Sequence, residues 1–168
     1  MPHLSAAYNL ARWLTHNDRD ADDLVQEAYL RAYKYFDGFH GEDGRPWLLA
    51  VVRKTCYTWL KQHRARPPAA SFDEAIHSSI PSDARNPEKL LVQKATRQVV
   101  RDALEALPVP YREVIVLREL EGFSYKEIAA IVHVPPGTVM SRLARARGKL
   151  ARSLQERIGK DQITKEPA

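Results

Sequence analysis

The sequence predicts an all-α protein made of two small helical domains joined by a flexible linker, and three observations carry that expectation. Apolar residues recur at helical spacing almost throughout the 168 residues, the period that turns one stripe of a helix toward a core. Glycine is scarce, at 7 of 168, and β-branched residues nowhere alternate convincingly with polar ones, as a half-buried strand requires. Punctuation gathers in the middle, where Pro67, Pro68, Pro81 and Pro87 bracket a Ser-, Ala- and Asp-rich segment, Ala69 to Asn86, of weak periodicity. The chain therefore reads as a domain at 1–66, a linker at 67–95, a second domain at 96–159 and a tail at 160–168. A tether of about 25–30 residues is longer than usual inside one compact unit.

In the first domain the spacing predicts a helix from Leu4 to His16 and a second from Asp20 or Ala21 to Phe36. The second turns Leu24, Ala28, Ala32 and Tyr35 inward and leaves Asp23, Gln26, Glu27, Leu30 and Lys34 outward. Leu30 is then an apolar residue ringed by polar ones. It is either an ordinary exposed leucine or a knob for a partner's pocket. A Gly-rich loop follows at Gly38–Arg45, and a third helix runs from Pro46 to Arg64, with proline in the first turn where its missing N–H costs nothing. Winding that helix groups Leu48, Val52, Cys56 and Trp59 on one side and Arg53, Tyr57, Lys61 and Arg64 on the other, with Lys54 adjacent. A cationic stripe with an aromatic set in it suits a strand whose phosphates need neutralising and whose bases can stack; an ordinary solvated face is the alternative. Trp47 fits either a core position or a stacking platform.

The second domain opens with a helix from Glu88 to Leu107, broken at Pro108 and Pro110 and continued from Tyr111 to Leu120. Ser124 and Glu127 have capping-box spacing, so a helix starts there and runs to Val132. His133-Val-Pro-Pro-Gly137 interrupts it, and a second helix follows from Thr138 to Leu154. Such a short break between two helices is what a helix-turn-helix requires. The second helix puts Val139, Leu143, Ala146, Leu150 and Leu154 on the core side. Thr138, Ser141, Arg145 and Arg152 fall opposite, with Arg142 and Lys149 beside them. Short polar groups and guanidinium forks near the start of such a helix suit the major groove, where arginine pairs with guanine and others grip phosphate.

Composition narrows the function classes. The 26 Lys+Arg against 21 Asp+Glu leave a net charge of +5, and the excess lies mainly in 96–168, with 13 basic against 9 acidic residues. No apolar run reaches the roughly 18–20 residues of a membrane helix, and Met1–Leu14 lacks a cleavable signal, so a cytoplasmic location is expected. The single cysteine, Cys56, excludes an internal disulfide, and no zinc spacing, phosphate loop, nucleophile elbow or paired-carboxylate motif is present. No cofactor, metal or enzymatic activity is expected.

Taken together, Asp22-Asp-Leu-Val-Gln-Glu-Ala-Tyr-Leu-Arg-Ala-Tyr33, Trp47-Leu-Leu-Ala-Val-Val-Arg-Lys54, the proline-rich gap, Leu120-Glu-Gly-Phe-Ser-Tyr-Lys-Glu-Ile-Ala129 and Pro136-Gly-Thr-Val-Met-Ser-Arg-Leu-Ala-Arg-Ala-Arg147 resemble the extracytoplasmic-function (ECF) sigma factors of the sigma-70 family. The resemblance spans about Ala7 to Leu154. It implies a subunit that joins core RNA polymerase and directs initiation at promoters carrying −10 and −35 elements. Asp23, Gln26, Glu27 and Leu30 would meet the clamp helices of the polymerase. His40, Arg45 and Trp47 would lie at the pocket for a flipped −10 base, and Arg53, Lys54, Tyr57, Lys61 and Arg64 would separate and read the −10 strand. Thr138, Ser141, Arg142, Arg145, Lys149 and Arg152 would read the −35 duplex, while the earlier helices of that domain meet the flap. The linker, with Asp73, Glu74 and Asp83, would thread toward the RNA exit path. An anti-sigma factor would hold the chain inactive. Lys54, Thr58 and Met140 depart from residues many members carry there, so promoter preference does not transfer from relatives. The competing reading is a stand-alone helix-turn-helix regulator that binds a symmetric operator as a dimer.

Overall fold

The computed structural model describes residues 3–41, 43–63 and 86–163. Seven α-helices are formed among the described residues: α1 (Leu4–Thr15), α2 (Asp18–Tyr35), α3 (Gly44–Gln62), α4 (Pro87–Glu105), α5 (Val109–Ile115), α6 (Tyr125–Val132) and α7 (Pro136–Ile163). No strand occurs among the described residues, and the fold is all-α. Arg64 and the acidic linker residues Asp73, Glu74 and Asp83 lie outside the described residues.

Side chains that accept backbone N–H groups set where the helices begin. Asn17 accepts from Asp20 N–H and starts α2 three residues ahead of Ala21. Asp43 accepts from Arg45 N–H, so α3 opens at Gly44 rather than Pro46. Asn86 accepts from Lys89 N–H, which begins α4 inside the stretch read as linker. Pro136, not Thr138, opens α7, and the helix runs on through Gly159 to Ile163. The glycine's cost of roughly 1 kcal/mol is offset by the helix-forming residues around it. Between α5 and α6 the chain loosens into a π-helical turn, Val116–Leu120, closed by Glu121 N–H donating to the Val116 carbonyl at 3.1 Å.

Helices α1, α2 and α3 pack on one another, whereas α4, α5 and α6 each pack against α7. The two groups then meet, α1 against α5 and α3 against α6, and their buried apolar residues form one contiguous cluster. Leu10, Leu14, Leu49 and Val52 from the first group join Leu117, Phe123, Ile128 and Leu143 from the second. Tyr35 corrects the inward face expected for α2, because it is 63% exposed. Ala32 is the last buried residue of that helix. Tyr35 stands in its final turn, where the chain leaves through the short 3-10 turn Phe36–Gly38.

Candidate functional site

The capping box that opens α6 is complete. Ser124 Oγ accepts from Glu127 N–H at 3.1 Å, and Glu127 Oε1 accepts from Ser124 N–H at 3.0 Å. At its other end His133 turns left-handed, with φ 55, and its N–H donates to the Ala129 carbonyl. The chain can then reverse into α7 within three residues. Val139, Leu143 and Ala146 lock α7 into the core, and that registration decides what faces outward. Ser141, Arg145, Lys149 and Arg152 are exposed, while Thr138 and Arg142 are half-buried. Among the described residues no acidic side chain pairs with Arg142, Arg145 or Arg152. Lys149 Nζ lies 5.7 Å from the centre of the Tyr111 ring. Arg147, two residues from both Arg145 and Lys149, is tied to Glu119 at 2.7 Å.

The cationic side of α3 is arranged differently. Arg53 donates through Nε and Nη2 to both oxygens of Glu113, at 2.7 and 3.1 Å. Its guanidinium also lies 4.2 Å from the centre of the Tyr57 ring. Burial by itself would lower the Arg53 pKa, but the hydrogen bonds and charge of Glu113 outweigh it and raise the value. Burial, then the Glu113 charge, push the Tyr57 hydroxyl up to about 12, so it stays protonated across the working pH range. Arg45 donates to the Glu121 carbonyl at 3.1 Å and stacks 4.0 Å over the Phe123 ring. Lys54 and Lys61 are exposed. Burial, then the charge of Glu27, push the Cys56 thiol up to about 12.

Sequence reasoning placed Trp47 without its neighbours. Its ring is 4.9 Å from Phe39 and 6.4 Å from Phe36, so the loop carries a three-ring cluster beside the exposed His40. A Cβ at Gly41 would come within 2.8 Å of the Phe39 ring, so a side chain there would have to displace that ring. On α2, Asp23, Gln26, Glu27 and Leu30 share an exposed face, and Glu27 pairs with Arg31. Leu30 is 72% exposed and Tyr33, one turn on, is 86% exposed. Tyr33 was missed, although its spacing of three from Leu30 signals the same face.

Glu113 was missed as well, because its partner lies 60 residues away and no local pattern marks it. Arg112 beside it serves structure. Its guanidinium donates to the carbonyls of Leu104, Glu105 and Leu107, closing the end of α4, and to Trp13 in α1. Glu105 receives Arg12 and His16 from α1. The His16 hydrogen bond, against the opposing effect of burial, keeps the Glu105 carboxyl below its usual range, with help from the charges of His16, Arg12 and Arg101.

A capped helix-turn-helix with an open cationic second helix, coupled to another helical group that carries its own cationic face, defines a DNA-reading protein of the transcription apparatus. Residues 1–66 match the sigma-70 region 2 family, and residues 97–150 match sigma-70 region 4. The chain is 38% identical over 145 residues to the ECF RNA polymerase sigma-E factor of Escherichia coli K12, covering 83% of this chain and 76% of that one. It is 34% identical over 155 residues to the protein of that name from Haemophilus influenzae, covering 87% and 79%. Among solved structures it resembles the sigma factor RpoE, in complex with the anti-sigma factor NepR from Bartonella quintana, with a TM-score of 0.71, 28% identity and coverage of 90% and 91%. It also resembles CnrH, in complex with the cytosolic domain of CnrY, with a TM-score of 0.64, 25% identity and coverage of 92% and 83%. The chain belongs to the ECF sigma factors of the sigma-70 family. It is an alternative sigma factor, directing promoter-specific transcription initiation, and not a stand-alone operator-binding regulator.

Proposed function

We propose a division of labour among three faces of this sigma factor. The row Thr138, Ser141, Arg142, Arg145, Lys149 and Arg152 reads the −35 duplex from the major groove, with arginine forks on base edges and the remaining groups on phosphate. Its support is the single most telling observation in the molecule: a helix-turn-helix that aims these side chains outward with no acidic partner on Arg142, Arg145 or Arg152 among the described residues. His40, Arg45, Trp47, Arg53, Lys54, Tyr57, Lys61 and Arg64 serve the −10 element, where an extruded base needs a pocket and the opened strand a cationic track. Asp23, Gln26, Glu27 and Leu30, joined by Tyr33, seat on the clamp helices of core polymerase, and the helices before the helix-turn-helix meet its flap.

The domain limits that go with this reading are 1–66, a linker at 67–95, 96–159 and a tail at 160–168. Both structural neighbours named above were solved with a bound partner, the first an anti-sigma factor, and an anti-sigma factor that holds this chain inactive belongs to the same reading. Among the described residues no helix is long and apolar enough to cross a membrane. Its place is the cytoplasm, beside the polymerase whose chemistry it directs; it contributes recognition and catalyses nothing itself.

Reconstitution with core polymerase and a promoter library tests this reading. Promoter-specific initiation that depends on the chain is expected, with little specific DNA binding by the free protein. Tight operator binding indifferent to polymerase would overturn it. Leu30→Asp is expected to abolish polymerase binding while leaving helical content intact, and retained binding would reject the α2 face.

A further inference from the structure

We propose that Met140 is a specificity-determining residue of the −35 interface, one that selects thymine by apolar contact with its 5-methyl group. The inference rests on the reading of α7 as the −35 helix and adds a base that the helix distinguishes beyond those its arginines pair with.

Met140 is 55% exposed, and between Ser124 and Leu154 it is the one large apolar side chain left exposed among the described residues. Tyr125, Val134 and Leu150 of the same motif are half-buried and pack against the core. Winding α7 at about 100° per residue puts Ser141 and Arg145 at the centre of its outward face. Thr138, Arg142 and Lys149 then form one flank and Met140 the other. The neighbours of Met140 on its flank are short: Gly137 one turn before it and Ala144 one turn after, both exposed. A Cβ at Gly137 would meet nothing within 4 Å, so the methionine is not folded back over that position. Its side chain is free to extend from the helix beside the residues that read the duplex.

The chemistry of the side chain selects what it meets there. A thioether neither neutralises a phosphate nor donates a fork to guanine. What the major groove offers an apolar group is the C5-methyl of thymine, which no other base of DNA presents on that edge. Methionine is unbranched and polarizable, and it adapts its reach to an irregular apolar surface. Set on the flank away from Arg142 and Lys149, it meets a base pair beside the one that Arg145 addresses. The outward face of α7 thus reads two kinds of base edge, an acceptor pair through its arginines and a methyl group through Met140.

The experiment uses the holoenzyme reconstituted with core polymerase and the strongest promoter from the library. Each thymine of its −35 element, on either strand, is replaced in turn by uracil, which lacks only the 5-methyl group. Wild-type holoenzyme is expected to lose about fourfold in initiation at one of these positions, the worth of one buried methyl group. Met140→Ala is expected to lose a similar factor on the thymine promoter and to be indifferent to uracil at that position, a non-additive cycle. Met140→Leu keeps an apolar side chain and should keep most of the discrimination. Position 140 is exposed and alanine is a good helix former, so helical content by circular dichroism should not change. If no uracil affects the wild type, the assignment is overturned. If uracil costs Met140→Ala as much as it costs the wild type, the residue touches something other than the methyl group and the assignment is overturned as well. Arg145→Ala separates this inference from the reading beneath it. If promoter preference is unchanged in Arg145→Ala and Met140→Ala alike, α7 is not the −35 helix; if Arg145→Ala shifts the preference while the uracil cycle is additive, the assignment of Met140 alone fails.

Discussion

Helices α3 and α7 carry nearly the same device, a row of cations at helical spacing behind an apolar stripe, and the molecule uses the two rows differently. On α7 the stripe is spent on the core, and Arg145 and Arg152 stand in solvent without an acidic partner among the described residues. On α3 Lys54 and Lys61 are exposed as well, but Arg53 sits between Glu113 and the Tyr57 ring. A row of cations therefore marks capacity for an anion, and what packs opposite decides which anion is found. For α7 the space is left open. For α3 a carboxylate of the same chain fills it.

The largest effect expected from this difference is on stability. Arg53→Ala strands the Glu113 carboxylate in the interior, and removing one partner of a buried pair costs about 3 kcal/mol or more. Denaturant unfolding should show that loss, and a change no larger than a surface substitution gives would place Arg53 in the same class as the α7 arginines. Arg145→Ala is the converse case. Its expected effect on stability is within about 0.5 kcal/mol, whereas −35-dependent initiation should weaken by about 1–3 kcal/mol as a base contact is lost. An unchanged promoter preference would remove Arg145 from the reading set. Ser124→Ala gives the smallest effect, about 1 kcal/mol for a lost cap. Thermal unfolding should register it as a drop of a few degrees. Because α6 positions α7 but makes no part of the Arg53 pair, Ser124→Ala should weaken −35 binding and leave the particle's dimensions unchanged.

Much of the architecture was legible because it is written locally. The Ser124–Glu127 box, the break at His133–Gly137 and the inward set Val139, Leu143 and Ala146 follow from spacing within a few residues. The outward set of α7 is their complement, and so was readable too. Helix starts slipped by two or three residues where Asn17 and Asp43 capped earlier than the apolar pattern suggested. Tyr35 failed for a similar reason: periodicity continues a face indefinitely, while burial ends where the neighbouring helices end. Tyr33 lay on the same face as Leu30 and was passed over because an exposed tyrosine at a helix end is unremarkable by pattern alone.

By itself the sequence determined the helices, their polarity and the presence of two cationic faces, since each depends on caps and on a 3.6-residue period that operates between near neighbours. Only the tertiary structure decided that one face keeps its arginines free of acidic partners among the described residues while the other has Arg53 taken up. That outcome depends on Glu113 meeting Arg53 across 60 residues of chain, and the strength of a charge pair is set by its distance and by the water excluded around it, quantities that exist only once the two groups of helices have come together.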